Sequence, residues 1–154
     1  MRQFKQDMKI TICGSIAFID EMIDIKNQLK KSGHTVEMPP IEVEDGSGNL
    51  IPAIDYYKIR RKTEGSEDWV WDRKEWAMKK HFDKVAWSEA VLILNYDKND
   101  IKGYVGANTF LEMGLAFHLN KKIYLLNPIP EVSYKEEILG MKPIIINNDL
   151  VKIS

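Results

Sequence analysis

Glu112 interrupts a run, Phe110 to Leu119, that is otherwise almost wholly apolar. A carboxyl group in such company is either a solvated surface acid or a group whose surroundings change its chemistry. The flanking Phe110, Leu111, Met113, Leu115 and Phe117 leave little room for a wet helix face, which favours the second reading. If Asn108 or Thr109 caps the helix, Glu112 falls in the second turn, on the face shared by Asn108, Thr109, Leu115 and Ala116. The helix N-terminus favours the ionised carboxylate and apolar neighbours favour the neutral acid, so the group is set up to react. A structural glutamate bonded to backbone amides is the alternative.

Chemistry that needs both a nucleophile and a proton donor calls for a second acid. Asp83, in "KKHFDKVAWSEA", and Asp97, just past "AVLILNYD", are the candidates, and spacing does not choose between them. Asp83 also reads as an ordinary solvated helix residue. Gly14 and Ser15 end an apolar strand and precede a helix, where amides and a hydroxyl hold an anion or a sugar hydroxyl, or simply form a capped turn. Neither the dinucleotide glycine fingerprint nor a phosphate loop with its Gly-Lys-Ser/Thr ending is present. Cys13 is the single cysteine, which excludes an intrachain disulfide and a multi-cysteine metal site, and it reads as a small core residue. His34, His81 and His118 show no metal-ligand spacing, so no metal and no cofactor are expected.

The elements that must carry these residues follow from periodicity. "KITICGS" reads as a strand ending at Gly14, and the next segment places Phe18, Met22, Ile25 and Leu29 at helical spacing until Gly33. "HTVEMPP" is a second strand, parallel to the first and joined to it right-handedly. Residues 40–66 show no sustained period and read as an irregular segment or cover. A helix across "EDWVWDRKEWAMKKHFDKVAWSEA" leads into "AVLILNYD", whose apolar run is that of a central strand buried on both faces. The loop "KNDIKGYVG", the helix bearing Glu112, the strand "KKIYLLN", a short helix in "SYKEEILGM" and the strand "PIIIN" complete the chain. The pattern predicts an α/β fold with a doubly wound five-stranded parallel sheet, in which ligands bind beyond the carboxyl ends of the strands.

The 154 residues fit one domain, 1–154. A formal net charge of −1 supplies no basic field, so a nucleic acid polymer is not an expected partner. The N-terminal apolar run is too short for a signal peptide or a membrane span, and the expected location is the cytoplasm with no membrane partner.

"ITICGSI" at 10–16, "HFDKVAWSEAVLILNYD" at 81–97 and "GANTFLEMGLAFHLNKKIYLL" at 106–126 together resemble the nucleoside 2-deoxyribosyltransferase superfamily. The "CGSI" turn is most similar to its branch of 2'-deoxynucleoside 5'-phosphate N-hydrolases. The resemblance implies a flavodoxin-like (Rossmann-like), three-layer αβα fold and cleavage or transfer at the N-glycosidic bond of a nucleoside or its 5'-monophosphate. It implies Glu112 as nucleophile and Asp83 as the acid on the base side, with Asp97 in reserve. Gly14, Ser15, Asp97, Gly106 and Asn108 would bind the substrate, and the chain would work as a homodimer or higher homo-oligomer. Thr11, Ala17 and Gly106 stand where that branch commonly has tyrosine, arginine and serine. A nucleotide-binding sensor without turnover, using the same crevice, is the competing expectation. Tyr56, Tyr57, Arg60, Arg61, Trp69 and Trp71 either stack over a base or pack a helix onto the body.

Overall fold

The computed structural model describes residues 7–63 and 67–154. Strands β1 (Lys9–Cys13), β2 (Thr35–Glu37), β5 (Ala90–Ile93), β6 (Lys122–Leu125) and β7 (Ile144–Ile145) form one sheet in the order β2-β1-β5-β6-β7. All of its pairings are parallel. This is the expected flavodoxin-like, doubly wound sheet. Helix α1 (Ile19–Lys31) packs on one face, while α3 (Asp68–Trp87), α4 (Ala107–His118) and α5 (Lys135–Gly140) supply the other.

Alternation along the strands divides the core between these layers. Leu92 joins Ile10, Ile12, Met22 and Leu29 in the α1-side cluster. Val91 and Ile93 join Cys13, Val85, Met113 and Ala116 in the cluster on the α3/α4 side. On β1 the same alternation sends Ile10 and Ile12 one way and Thr11 and Cys13 the other, and the Thr11 hydroxyl donates to the Lys84 carbonyl of α3 at 2.8 Å.

Helix α1 has Asp20 and Glu21 in its first turn and Lys30 and Lys31 in its last, as the helix dipole favours. It stops at Gly33, whose φ of 99° allows the His34 amide to reach the Leu29 carbonyl at 3.1 Å.

Two sequence expectations need correction. The segment 40–66 is not irregular throughout: β3 (Glu42–Glu44) and β4 (Leu50–Pro52) pair antiparallel, and α2 (Ala53–Lys62) follows, while residues 64–66 lie outside the described residues. Asp45 fixes the hairpin turn by accepting from the amides of Ser47 at 2.8 Å and Asn49 at 3.0 Å. Neither Asn108 nor Thr109 caps α4, because the helix already begins at Ala107 with Gly106 in the cap position.

Tyr56 of α2 packs with Val43 and Val70 in a small separate core, and its hydroxyl donates to the Val70 carbonyl at 2.6 Å. The hairpin, α2 and the start of α3 thereby become one cover beside the carboxyl ends of β1 and β5. No helix among the described residues is long and apolar enough to cross a membrane.

Candidate active site

The chain leaves β1 toward β2 on one side and returns at β5 on the other, so a crevice opens where the strand order reverses. A cavity of about 690 Å³ occupies it, within the range of small-ligand sites. Gly14 and Ser15 line it from the end of β1, Leu94 from the end of β5, and Gly106, Asn108 and Glu112 from the start of α4. Gly14 keeps the turn close, since a Cβ there would lie 3.3 Å from the Leu94 carbonyl oxygen.

Glu112 is 3% exposed yet forms part of the cavity wall. One turn earlier on α4, the Asn108 amide donates to its Oε1 at 2.8 Å, and the Lys74 ammonium donates to Asn108 Oδ1 at 3.2 Å. Burial pushes the Glu112 carboxyl up to about 8, while the Cys13 thiol and the Lys74 charge pull the other way. Lys74 is itself brought down to about 8 by burial and by the charge of Arg60, against the pull of Glu112.

Two residues that chain spacing did not connect with Glu112 lie against it. His81 Nε2 of α3 stands 3.5 Å from Oε2, and Cys13 Sγ, a His81 ring nitrogen and a Glu112 oxygen all fall within 4.8 Å of one another. Burial and the Lys84 charge lower His81 to about 4, with the Ile12 backbone acting in the opposite sense, so the imidazole is neutral. Burial, together with the Glu112 charge, raises the Cys13 thiol well above its ordinary value.

The expected second acids are elsewhere. Asp83 is exposed and does not line the cavity. It follows His81 by two residues, about 200° around the helix, so when His81 faces the cavity Asp83 must face away. Asp97 is also exposed, and its Oδ1 accepts from the Gly103 amide at 2.9 Å, closing the loop that carries Lys98. Gly103 is required there, with φ of 66° and a position where a Cβ would meet the Pro128 carbonyl at 2.6 Å. Among the described residues, Glu112 is the one carboxylate lining the cavity.

The other charges around it are positive: Arg60, Arg61, Lys74 and Lys98. The Lys98 ammonium donates to the Ser15 hydroxyl at 2.8 Å and to the Tyr57 hydroxyl at 3.2 Å, joining three distant segments at the mouth. Arg60 lies 5.3 Å from the centre of the Tyr57 ring and Lys98 also 5.3 Å from it, which holds cations around one aromatic ring. Of the aromatic residues in the cover, Tyr56, Tyr57 and Trp71 line the cavity, and Trp69 packs against the small core beneath. A sequence signal for the α3 wall did exist: Trp71, Lys74, Met78 and His81 recur at three- and four-residue steps, one stripe of a helix.

No protein-family model matches the chain, and no curated protein matches it. Among solved structures it is similar to a 2-deoxyribosyltransferase from the psychrotolerant bacterium Bacillus psychrosaccharolyticus, with 15% identity, a TM-score of 0.46, and coverage of 76% of this chain and 70% of that one. It is also similar to the Clostridium botulinum CMP N-glycosidase BcmB, with 16% identity, a TM-score of 0.45, and coverage of 90% of this chain and 85% of that one. At these identities neither assigns a role to a residue.

Proposed function

We propose that the protein cleaves or transfers at the N-glycosidic bond of a nucleoside 5'-monophosphate, or of the corresponding nucleoside, with Glu112 as nucleophile. The observation that carries this reading is a nearly buried carboxyl group at the wall of a ligand-sized cavity whose other charges are all cationic.

In the reaction, Glu112 Oε attacks the anomeric carbon as the bond to the base breaks. The bonding electrons leave with the base, and positive charge on the sugar is met by the carboxylate. The ionised form of Glu112 is the minor one at neutral pH. Only molecules in that form, their proton already lost to solvent, carry out the attack, and the carboxylate then stabilises the oxocarbenium character that develops beside it. Lys74, with a proton affinity near neutrality and a place on the cavity wall, takes the role first expected of Asp83 and protonates the departing base. Water, or a second base, then displaces the sugar from Glu112.

Lys98, Arg60 and Arg61 with the Ser15 hydroxyl suit a phosphate at the sugar's 5' end, in place of the arginine and serine missing at 17 and 106. The working unit in this reading is a homodimer or higher homo-oligomer.

The test is chromatographic detection of free base from a panel of nucleosides, deoxynucleosides and their monophosphates. Turnover should fall by about 10³-fold or more in Glu112→Gln. Undiminished turnover in that variant removes the proposed nucleophile. The lack of a second cavity carboxylate among the described residues favours one competing reading, a nucleotide-binding module without turnover. Saturable binding with no free base after long incubation would install it instead.

A further inference from the structure

His81 Nε2 and Glu112 Oε2 face one another at 3.5 Å, both buried, and neither atom has a hydrogen-bond partner of normal geometry among the described residues. Two polar atoms in that position usually close to about 2.9 Å. A separation of 3.5 Å does, however, match the edge of a metal tetrahedron, which is about 3.3 Å for bonds of 2.0–2.1 Å. The third corner is Cys13 Sγ, with all three ligand atoms inside 4.8 Å of one another. We propose that Cys13, His81 and Glu112 form a binding site for a single borderline-soft divalent ion, zinc being the natural occupant, and that the bound ion silences Glu112.

The donor set selects the ion. A thiolate, an imidazole and a carboxylate suit zinc and disfavour magnesium or calcium, which take oxygen ligands. Metal binding releases the thiol and carboxyl protons to solvent, and the resulting thiolate and carboxylate bring two negative charges, so a dication leaves the buried cluster neutral, the condition under which charge is tolerated there. The imidazole supplies its lone pair through one ring nitrogen. The Lys74 and Lys84 ammonium groups are the nearby opposing charges, acting on Glu112 and on His81 respectively.

Access is provided because His81 and Glu112 both line the cavity, while Cys13 forms the closed inner corner. Three protein ligands leave a fourth position open toward the cavity. With Glu112 engaged as a ligand, its oxygen is no longer free to attack a sugar, so occupancy and turnover exclude each other. This last consequence rests on the proposed nucleophilic role of Glu112; the metal site itself does not.

The experiment titrates chelator-stripped protein with Co²⁺ and follows its absorption spectrum. One equivalent should bind, with a thiolate-to-cobalt charge-transfer band in the near-ultraviolet and the visible bands of a four-coordinate ion, and Zn²⁺ should displace it. Cys13→Ser should lose the charge-transfer band, and both Cys13→Ser and His81→Ala should bind at least about tenfold more weakly. Circular dichroism and melting of the metal-free variants establish that each is folded. No charge-transfer band in wild type, or an undiminished band in folded Cys13→Ser, overturns the site. If free base is released by wild type, stoichiometric Zn²⁺ should lower its rate at least tenfold, and the ratio of rates with and without zinc should approach one in Cys13→Ser. An unchanged wild-type rate with the spectrum present removes the silencing role. Spectroscopic binding with no base release under any condition leaves the metal site standing and sinks the glycosidic reading alone.

Discussion

Asn108 stands between Lys74 and Glu112, accepting from the ammonium at 3.2 Å and donating to the carboxyl at 2.8 Å, so a charge on α3 is coupled to an acid on α4 through one amide. A donor aimed at Oε1 favours the ionised acid.

Replacing Asn108 with Ala removes that donor and leaves a second oxygen of a buried carboxyl without a partner. The expected result is a loss of about tenfold in kcat/KM at neutral pH, with the rise of activity displaced to higher pH. Steady-state kinetics over a pH series check this; an unchanged profile would detach Asn108 from the ionisation of Glu112.

In chelator-treated protein, kcat/KM should rise with pH as Glu112 ionises around 8 and fall as Lys74, also near 8, gives up its proton. The profile is therefore a bell centred near pH 8. Lys74→Met should lower the peak and remove the alkaline limb, a change that distinguishes a proton donor from a mere phosphate contact.

Glu112 also makes stability depend on pH in a definite direction. Its folded-state value, about 8, lies above the ordinary 4.5, so the folded protein holds the proton more tightly than the unfolded chain. The corresponding stability is fully present below about 4.5 and is lost as pH climbs through about 8. Glu112→Gln has no such loss. Its melting temperature relative to wild type should increase steadily across that window, gaining roughly 3 °C or more by the alkaline end. Calorimetry at several pH values would expose a flat difference, which would mean the carboxyl is not held neutral.

Lys98→Met removes the ammonium that bridges Ser15 and Tyr57 at the cavity mouth. KM for a nucleoside monophosphate should rise roughly 10- to 100-fold, the worth of one hydrogen bond to a charged group, while KM for the unphosphorylated nucleoside changes little. Equal losses on both substrates would place the phosphate elsewhere.

Leu111 and Phe117 of α4 are each more than half exposed, Leu111 at the cavity and Phe117 near the end of the helix. Sedimentation velocity should find wild type as a dimer or larger, and Phe117→Asp shifted toward monomer. Wild-type monomer across the concentration range would remove the assembly from the proposal.

The parts of this architecture that the sequence made legible are those governed by repetition. The unbroken apolar run at 90–94 belongs to a strand covered on both faces, and α1 shows its buried Met22 and Leu29 at seven-residue spacing. Glu112 was readable for a related reason, since a lone acid among apolar neighbours leaves few arrangements. Asp83 was favoured only by the family resemblance, whereas the helical angle puts His81 on the cavity and Asp83 outside. Strands of three residues, such as Glu42–Glu44, are too short to display alternation, and α2 carries only Ala53 and Tyr56 as buried positions, too few to mark a stripe. Lys98 gave no signal at all, because its partners Ser15 and Tyr57 are brought to it only by the sheet and its cover.

The alternation of β1 ties the chemistry to the bookkeeping of a single strand. Ile12 and Cys13 point into opposite layers, and β1 lies between β2 and β5 with its register fixed to both. A shift of that strand by one residue would carry the thiol into the α1 layer and bring a branched hydrocarbon against the acid. Inserting one residue within β1 is thus expected to rewrite the electrostatics around Glu112 even in a molecule that still folds, whereas a change of comparable size in the Asp45–Asn49 turn should spare them.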